Sequence, residues 1–513
     1  MKKTLIISAL TAAVTAMLVG SMAVAATTRD VAYDDASGMY IDSNTLFAYT
    51  LDEDALTATV YGNPDGACDE AVLLEPGAFE QSSSSPENTF VYGSDCLVPS
   101  SVKANGKTYT VTEVAENGFA DHTTLSGVTF ESDVKIGSRA FFGCKELASV
   151  DLSGITTIGD SAFSYTAIET LSLPSTLTEI GNGAFFYIPT LTTVNGLGNN
   201  VKYIGSNAFG GSAWLDNQTA KFVVAGDGIL IKYNGSNTDI VMPSGIKGVT
   251  DCFSGNTGIF SVDMSDTNIT YISDNAFYGC HNLVSVDFPA SLKQIGDFAF
   301  ANCSSLESVE LGKNVEAVGF CAFSSAKGLK SFTCTSDKLT SVGECAFWNC
   351  SALETVELAS CSEFLNFGVF WNSGIKAFDI PKNVKTIAKG AFASTDGMKV
   401  IIPRSVVNID GSALAGENIV VICAPDSAAA VYAGLNFGEG STNKALFFGD
   451  VNGDGKVNAA DVIHFLKNIA SNAEAVISDD IVADVDLDGV RSLKDIRTMV
   501  KSLAGDTNTV IGK

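Results

Sequence analysis

The sequence has few of the residues and motifs on which most enzyme sites depend. Only three histidines, His122, His281 and His464, occur among its 513 residues. The H-E-x-x-H, G-x-S-x-G, phosphate-loop and Rossmann glycine patterns are absent, so metalloproteases, serine hydrolases and nucleotide-binding enzymes have no support. Cys280 precedes His281, but neighbouring side chains in a strand or turn point apart, which disfavours a nucleophile pair. We therefore expect a protein that is not an enzyme.

Positive charge is also scarce. The chain has 31 lysines and arginines against 58 aspartates and glutamates, which gives a formal net charge of −27. Such a surface disfavours nucleic acid and anionic membranes as partners, and it suits a protein that attracts cations. Beyond residue 25 there is no run of eighteen apolar residues, so no membrane-spanning helix is predicted.

The first 25 residues have the pattern of a signal peptide. Lys2 and Lys3 precede an apolar run over residues 5–19, and Ala23-Val24-Ala25 has the small-residue spacing of a cleavage site. We expect residues 1–25 to be removed and the protein to be secreted.

The twelve cysteines include no C-x-x-C pair, so a zinc ribbon has no support. Four of them lie three residues after a repeated phenylalanine, and two lie two residues before one. A cysteine that keeps its place in a repeat is typically a small buried hydrophobic residue. Stacked disulfides such as Cys280–Cys303 are the alternative, because an exported chain permits them. Cys68 and Cys96 lie outside the repeat pattern and are better candidates for a bridge.

A repeat runs through most of the chain. Its signature is Ile or Val, usually Gly, two variable residues and then Ala-Phe, as in "IGSRAF" at Ile136 and "IGDFAF" at Ile295. The phenylalanines lie 22 to 24 residues apart, except for one step of 44. A fixed period in this range predicts a solenoid, because one coil cannot bury its apolar face alone. We call them the key phenylalanines: Phe119, Phe141, Phe163, Phe185, Phe209, Phe253, Phe277, Phe300, Phe323, Phe347, Phe370 and Phe392.

A strand pattern, L-x-x-V-x-L, lies upstream of each Ala-Phe, as at residues 283–288 and 306–311. Because side chains alternate between the two faces of a strand, the V and the last L of this pattern should point inward. The neighbouring positions, which carry hydroxyls and carboxylates, should point outward. The outward ladder is either a solvated face or a ligand surface, and we favour the first. The key phenylalanines should form an internal stack, beside a small Ala and after a Gly that allows a tight bend.

This repeat resembles the BspA-like class of bacterial leucine-rich repeats. The resemblance implies a β-rich, right-handed solenoid of ~22–24-residue coils over residues 111–436, with an N-terminal strand cap over 26–110. Residues 227–243 are predicted to form an inserted hairpin with a turn at Asn234-Gly235. A capping helix is predicted within 424–436, beginning at Asp426 or Ser427, and residues 437–446 are expected to be a linker.

Several coils have an aromatic residue after the key phenylalanine: Phe142, Phe186, Tyr278, Trp348 and Trp371. Such rings could stack on sugars or seal the convex side of the array, and sealing is the favoured interpretation. Trp348 and Trp371 occupy adjacent coils and are the candidate ligand platform.

Two acidic twelve-residue loops, "DVNGDGKVNAAD" (450–461) and "DVDLDGVRSLKD" (484–495), lie 34 residues apart near the end of the chain. A hard cation such as Ca²⁺ needs six to eight oxygens, which alternate side chains of such a loop supply. The glycine at position six turns the chain so that the next carbonyl can face the ion. We predict two Ca²⁺ ions, one per loop, bound by Asp450, Asn452, Asp454, Lys456 (carbonyl), Asn458 and Asp461, and by Asp484, Asp486, Asp488, Val490 (carbonyl), Ser492 and Asp495.

Both loops end in Asp rather than the Glu of an EF-hand, and matched helices, "DVIHFLKNIA" and "DIRTMVKSLA", follow them. These features resemble type I dockerins, small all-α calcium modules that bind the cohesin domains of a scaffoldin. The resemblance covers residues 447–506, before a tail over 507–513. It implies cohesin contacts at Ala459, Ala460, Leu466, Lys467, Leu493, Lys494, Val500 and Lys501.

Taken together, these patterns predict a secreted component of a cellulosome-type complex, cell-associated through a scaffoldin. It would display its repeat module toward plant polysaccharide or another protein, in the context of polysaccharide degradation. The alternatives are a polysaccharide hydrolase with an unrecognised site in the solenoid, and an adhesin or inhibitor that binds a protein. A calcium-stapled C-terminal domain without a partner is a further alternative.

Overall fold

The computed structural model describes residues 29–34, 39–41, 47–61, 95–360, 362–438, 440–469, 480–487, 490–504 and 511. The predicted signal peptide, Cys68 and Asp488 lie outside these ranges. The chain divides into two compact units, residues 1–234 and 235–513. Within the described ranges, no helix has the length and apolarity that crossing a membrane requires.

Each unit is a solenoid in which a coil contributes strands to two parallel ladders. Ile136 pairs with Ile158, for example, and Val286 with Val262, so the pairing follows the sequence repeat. The first ladder contains Lys107–Val114, Lys135–Ile136, Thr157–Ile158, Glu179–Ile180 and Tyr203–Ile204, and in the second unit Gly248–Val249, Tyr271–Ile272, Gln294–Ile295, Ala317–Val318, Ser341–Val342, Phe364–Leu365, Thr386–Ile387 and Asn408–Ile409.

The second ladder carries the outward hydroxyls and carboxylates. Along it, alternate residues are exposed and buried, as in Ser308–Leu311, which confirms the predicted alternation. Its strands are Asp95–Val98, Gly127–Phe130, Ser149–Val150, Thr170–Ser172 and Thr193–Asn195, and in the second unit Asp239–Val241, Ser261–Asp263, Ser285–Asp287, Ser308–Leu311, Ser331–Cys334, Thr355–Leu358, Ala377–Asp379, Lys399–Ile402, Val420–Cys423 and Lys444–Phe447.

The key phenylalanines form the predicted internal stack within each unit. From Phe119 to Phe209, successive ring centroids lie 5.1 to 5.5 Å apart, and the ring planes differ by at most 14°. From Phe253 to Phe392 the centroid distances are 5.0 to 5.6 Å. All are buried. Because parallel strands are roughly 4.8 Å apart, each coil delivers one ring onto the ring of its neighbour.

The glycine of the repeat has a different role from the predicted one. Neither Gly296 nor Gly343 has a positive φ, so the bend does not need glycine's conformational freedom. Instead, a Cβ at Gly343 would lie 2.4 Å from the carbonyl carbon of Gly319 in the preceding coil. At Gly296 it would lie 2.6 Å from the amide nitrogen of Asp274. Glycine is required because adjacent coils approach too closely for a side chain.

Left-handed backbone occurs two residues before most key phenylalanines, as at Arg139 and Phe298, and also two residues after every one of them. There φ lies between 55° and 73° in all twelve coils, at Asp121, Gly143, Tyr165, Tyr187, Gly211, Gly255, Gly279, Asn302, Ser325, Asn349, Asn372 and Ser394. Ten of these residues are small or short and polar, as this conformation favours. Tyr165 and Tyr187 are the exceptions.

The N-terminal region consists of strands, and four of them form antiparallel pairs. Ala48–Asp52 is antiparallel to Thr57–Tyr61, and Ser101–Ala104 is antiparallel to Lys107–Val114. The remaining strands here are Arg29–Asp30, Ala32–Asp34 and Met39–Ile41.

The predicted hairpin at Asn234-Gly235 is wrong. The antiparallel pair is Phe222–Ala225 with Ile229–Tyr233, and its turn contains Gly226 and Gly228, both with positive φ. Asp239–Val241, the expected second strand, is a coil strand that pairs in parallel with Ser261–Asp263. Gly226 and Gly228 both adopt the left-handed backbone that this three-residue turn requires, which glycine does without strain.

The C-terminal region contains most of the helical structure. Helix α1, Ala213–Asp216, is a single turn in the first unit. Helix α2, Ala428–Asn436, has Ser427 as its N-cap, which decides between the two predicted caps. The loop region contributes α3, Ala459–Ile469; α4, Asp480–Ala483; and α5, Leu493–Leu503.

The segment expected to be a linker is partly a strand. Lys444–Phe447 pairs in parallel with Val420–Cys423 of the last coil, so these residues extend the solenoid. Ile422 also shares a buried cluster with Phe448, Phe465 and Met499 of the helical module. The apolar "ALFF" at 445–448 explains the difference, because it buries surface that a linker would leave in water. The module is therefore packed on the last coil.

Candidate metal centres and docking face

The first acidic loop wraps its backbone around Asp450, which is 5% exposed. Its Oδ1 accepts hydrogen bonds from the amides of Gly453 and Asp454, both at 3.0 Å, and its Oδ2 accepts one from Gly455 at 2.9 Å. Gly455, at position six, has a φ of 82°, which only glycine adopts readily. The loop thus holds the compact turn that a cation site needs.

Burial raises the pKa of the Asp450 carboxyl above its ordinary value, and the nearby charge of Asp461 adds to this rise. The backbone N–H groups of the loop act in the opposite direction. Two carboxylates therefore repel each other in a partly desolvated loop, an arrangement that a bound cation would stabilise.

The last residues of the two loops have matching contacts. Asp461 is fully buried, and its two oxygens accept hydrogen bonds from the amides of Asn452 at 3.2 Å and Asn458 at 2.8 Å. Asp495 is also fully buried, and its Oδ2 accepts from Ser492 N at 2.8 Å. Each aspartate therefore closes its loop from the first turn of the following helix.

The second loop has the donor set of a calcium site. Carboxylate oxygens of Asp484, Asp486 and Asp495 all lie within 4.8 Å of one another. Asp486 Oδ1 is buried without a hydrogen-bond partner, whereas its Oδ2 pairs with Lys494 Nζ at 2.8 Å. Three converging carboxylates, one of which has an oxygen without a hydrogen-bond partner, fit Ca²⁺. The predicted ligand Asp488 lies outside the described residues.

Other predicted ligands have local roles in the structure. The side-chain oxygens of Asn458 and Ser492, at position nine, accept from the amides of Ala460 and Lys494. Ser492 is thereby the N-cap of α5. Asp454 is exposed, and its Oδ1 accepts from the amide of Lys456 at 2.9 Å. Metal ligation by position nine and by the carbonyls of Lys456 and Val490 stays a prediction.

Helices α3 and α5 have equivalent buried and exposed faces. Phe465 of α3 and Met499 of α5 are fully buried in the module core. All eight predicted partner residues are exposed: Ala459, Ala460, Leu466, Lys467, Leu493, Lys494, Val500 and Lys501. Three further exposed apolar residues were not predicted, Ile463 at 54%, Ile469 at 36% and Leu503 at 43%. The three-residue spacing of Ile463, Leu466 and Ile469 was the signal that could have identified them.

The candidate tryptophan platform is only partly exposed. Trp348 is 42% exposed, whereas Trp371 is half-buried. The ring centroids of Trp371 and Phe367 are 6.0 Å apart. A Cβ placed at Gly390 would lie 3.3 Å from the Trp371 ring. Among the described residues, the two indoles make no contact with each other. Trp371 fits the sealing interpretation better, and a ligand role for the pair stays a prediction.

Cys280 and Cys303 are free thiols. Each donates a 3.1 Å hydrogen bond to the carbonyl oxygen of a key phenylalanine in the preceding coil, Phe253 and Phe277 respectively. The alternative disulfide between them is therefore not formed. His281 Nδ1 lies 2.8 Å from the Asn302 carbonyl, so it points away from the Cys280 thiol. The two residues form no nucleophile pair.

Comparisons with known families match both parts of the chain. A model of the BspA type leucine rich repeat region matches residues 106–221, 232–338 and 322–434, with six copies in all. A model of the dockerin type I domain matches residues 448–504. A comparison with curated proteins gave no match.

Solved leucine-rich repeat structures are similar to the chain over most of its length. A leucine-rich repeat protein from Bacteroides ovatus is 17% identical, with 78% of this chain and 98% of that chain covered and a TM-score of 0.29. A leucine rich cell surface protein from Faecalibacterium prausnitzii is 21% identical over 82% and 100%, with a TM-score of 0.28. A leucine-rich repeat protein from Eubacterium ventriosum is 21% identical over 72% and 92%, with a TM-score of 0.35.

Proposed function

We propose that this chain, which belongs to the BspA-type leucine-rich repeat family and ends in a type I dockerin domain, is a non-catalytic docking component that presents its repeat module on a scaffoldin. The dockerin would bind a cohesin, and the solenoid would remain available to a second partner. We place this function outside the cell, in the degradation of plant polysaccharide.

The observation that supports this proposal most strongly is the repeated exposed face of the dockerin. Leu466 and Ile469 of α3 are 45% and 36% exposed, and their equivalents in α5, Val500 and Leu503, are 48% and 43% exposed. Exposed apolar side chains grouped on a small module mark a surface that a protein partner covers. Lys467 and Lys501 flank these residues, so the partner should carry complementary acidic groups.

Calcium bound in the two loops would neutralise their carboxylates and fix the turns that precede α3 and α5. Asp461 and Asp495 connect each loop to its helix, because they accept amide hydrogen bonds from the loop while lying in the first helical turn. Ordering the loops would therefore order the two exposed helix faces. We accordingly expect cohesin binding to depend on Ca²⁺.

The proposal is tested by cohesin capture with the full chain, using a panel of immobilised recombinant cohesins with Ca²⁺ or with chelator. We expect capture by at least one cohesin in Ca²⁺, and loss of capture in chelator. Asp450→Ala with Asp484→Ala should also abolish capture. The matched control is Asp266→Ala with Asp337→Ala, which removes the same charge from exposed solenoid positions. Capture that survives both chelator and the loop variant would refute calcium-dependent docking.

A further inference from the structure

Four aromatic side chains lie together at one edge of the first unit. The ring centroids of Phe142 and Tyr165 are 5.4 Å apart, and those of Tyr165 and Tyr187 are 5.3 Å apart. Phe186 lies 5.9 Å from Tyr165 and 6.1 Å from Tyr187. We call Phe142, Tyr165, Phe186 and Tyr187 the aromatic row. It follows the solenoid axis, since successive coils contribute Phe142, then Tyr165, then Phe186 and Tyr187.

The two tyrosines occupy a position that suits them poorly. Their φ angles are 62° and 55°, in the left-handed region where bulky side chains are outliers. At the equivalent positions, the ten other coils have Gly, Asn, Asp or Ser. Two neighbouring coils therefore retain a strained aromatic residue where a short one would be more stable. Bulky residues adopt left-handed backbone elsewhere in the array, as at Arg139 and Phe298. The two tyrosines differ from these because they combine this conformation with exposed aromatic rings that contact each other across adjacent coils.

The two tyrosines of the row are exposed, whereas Phe142 and Phe186 are half-buried. Tyr165 is 39% exposed and Tyr187 55% exposed, and they are the only exposed large hydrophobic side chains between residues 95 and 223, a range that the structure describes in full. A Cβ at Gly211 would lie 3.2 Å from the Tyr187 ring, so glycine in the next coil leaves room for that ring. At the other end, the Arg139 guanidinium lies 4.1 Å from the centre of the Phe142 ring.

We propose that the aromatic row is a carbohydrate-binding site that takes a polysaccharide chain along the solenoid axis. A pyranose ring has an apolar C–H face and a rim of hydroxyls, which matches the exposed ring and the phenol hydroxyl of a tyrosine. Tyr165 and Tyr187 occupy the same repeat position in two adjacent coils, which suits a polymer of repeated rings.

A folded protein partner is less well matched to this surface. Stable protein interfaces bury roughly 800 Å² on each partner, including a continuous apolar core. Here the exposed apolar surface consists of two tyrosines, with no other exposed large hydrophobic side chain in residues 95–223. Two tyrosine rings in adjacent coils are too small an apolar surface for such an interface.

This inference deepens the proposed display function, because it names the ligand class and the site of the solenoid. It places that site at the aromatic row rather than at Trp348 and Trp371. Cohesin capture depends on residues of the second unit, so the two proposals can fail separately.

The test uses the full chain with Tyr165→Asn and Tyr187→Asn combined. Asparagine occupies the equivalent position at Asn302, Asn349 and Asn372, so this variant should fold at least as stably as the parent. Binding to cellohexaose and xylohexaose is measured by calorimetry, and binding to soluble xylan and a cellulose derivative by affinity electrophoresis. Tyr278→Asn, at an isolated tyrosine that is 41% exposed, is the matched control.

We expect the parent and the control to bind at least one of these glycans. The double variant should bind at least about ten-fold more weakly, since two aromatic contacts are lost. It should keep its thermal stability and its capture by cohesin. No binding of any probe by the parent, or unchanged binding by the double variant, would overturn the site. Binding of a proline-rich peptide without any glycan would overturn the ligand class.

Discussion

At the residue scale, the repeat uses cysteine as a small donor rather than as a cross-link. The thiol three residues after a key phenylalanine donates to the carbonyl of the key phenylalanine one coil earlier, as Cys144, Cys280, Cys303 and Cys350 all show. A buried carbonyl without a partner is costly, so this bond explains why a polar but compact residue recurs here. The sequence predicted burial of these cysteines correctly, whereas the acceptor depends on coil register.

These thiols should be unreactive in the folded protein. Burial raises the pKa of Cys280 and of Cys350 to about 12, so almost no thiolate exists at about pH 8. We expect iodoacetamide at this pH to leave both residues unmodified in the native chain and to modify them in guanidinium chloride, as measured by peptide mass spectrometry. Rapid native alkylation of Cys280 would contradict the buried, hydrogen-bonded thiol.

At the scale of the elements, the coil is defined by one stacked ring and one close backbone contact. The Ala-Phe spacing was sufficient to predict the ring stack, because a residue at a constant repeat position must lie next to its equivalents. The role of the glycine could not be predicted, since a sequence does not give the distance between adjacent backbones. The hairpin was misplaced for a similar reason: two glycine-containing turns competed, and only the structure shows that Gly226 and Gly228 form the turn.

The close contact between coils gives a direct prediction. A Cβ at Gly319 would lie 2.5 Å from the carbonyl carbon of Gly296, so Gly319→Ala should lower the free energy of unfolding by about 1–3 kcal/mol. Gly312 has open space around its added Cβ and no positive φ, which makes Gly312→Ala the matched control. Denaturant titrations followed by circular dichroism compare the two variants. Equal stabilities would show that the glycine is not required for coil spacing.

At the scale of the whole molecule, the dockerin and the last coil of the second unit form one folded body. The parallel strand Lys444–Phe447 and the cluster that joins Ile422 to Phe448 and Val451 connect them. Arg404 of the solenoid also donates from Nε to the carbonyl of Ile511 at 3.3 Å. The two acidic loops and their helices were predicted because both carry a repeated pattern. Their packing on the solenoid was missed, because "ALFF" has no periodicity that distinguishes a strand from a linker.

This connection predicts that calcium acts beyond the dockerin. Ordering the loops should slow amide hydrogen exchange in the last coil, at Val420–Cys423 and Lys444–Phe447, because these strands share the dockerin core. Exchange of the full chain with and without Ca²⁺, followed by mass spectrometry, measures this effect. Asp450→Ala with Asp484→Ala should remove it. Unchanged exchange in both strands on adding Ca²⁺ would show that the dockerin is not coupled to the coil.

The central claim is that the two acidic loops hold metal, and Ca²⁺ titration of the full chain by calorimetry tests it most directly. We predict two specific sites, with one lost in Asp450→Ala, the other lost in Asp484→Ala, and both kept in the Asp266→Ala, Asp337→Ala control. The reason is that Asp450 and Asp484 occupy position one of their loops and are each the first predicted ligand. Absence of uptake at millimolar Ca²⁺, or uptake that neither loop variant changes, would contradict the account.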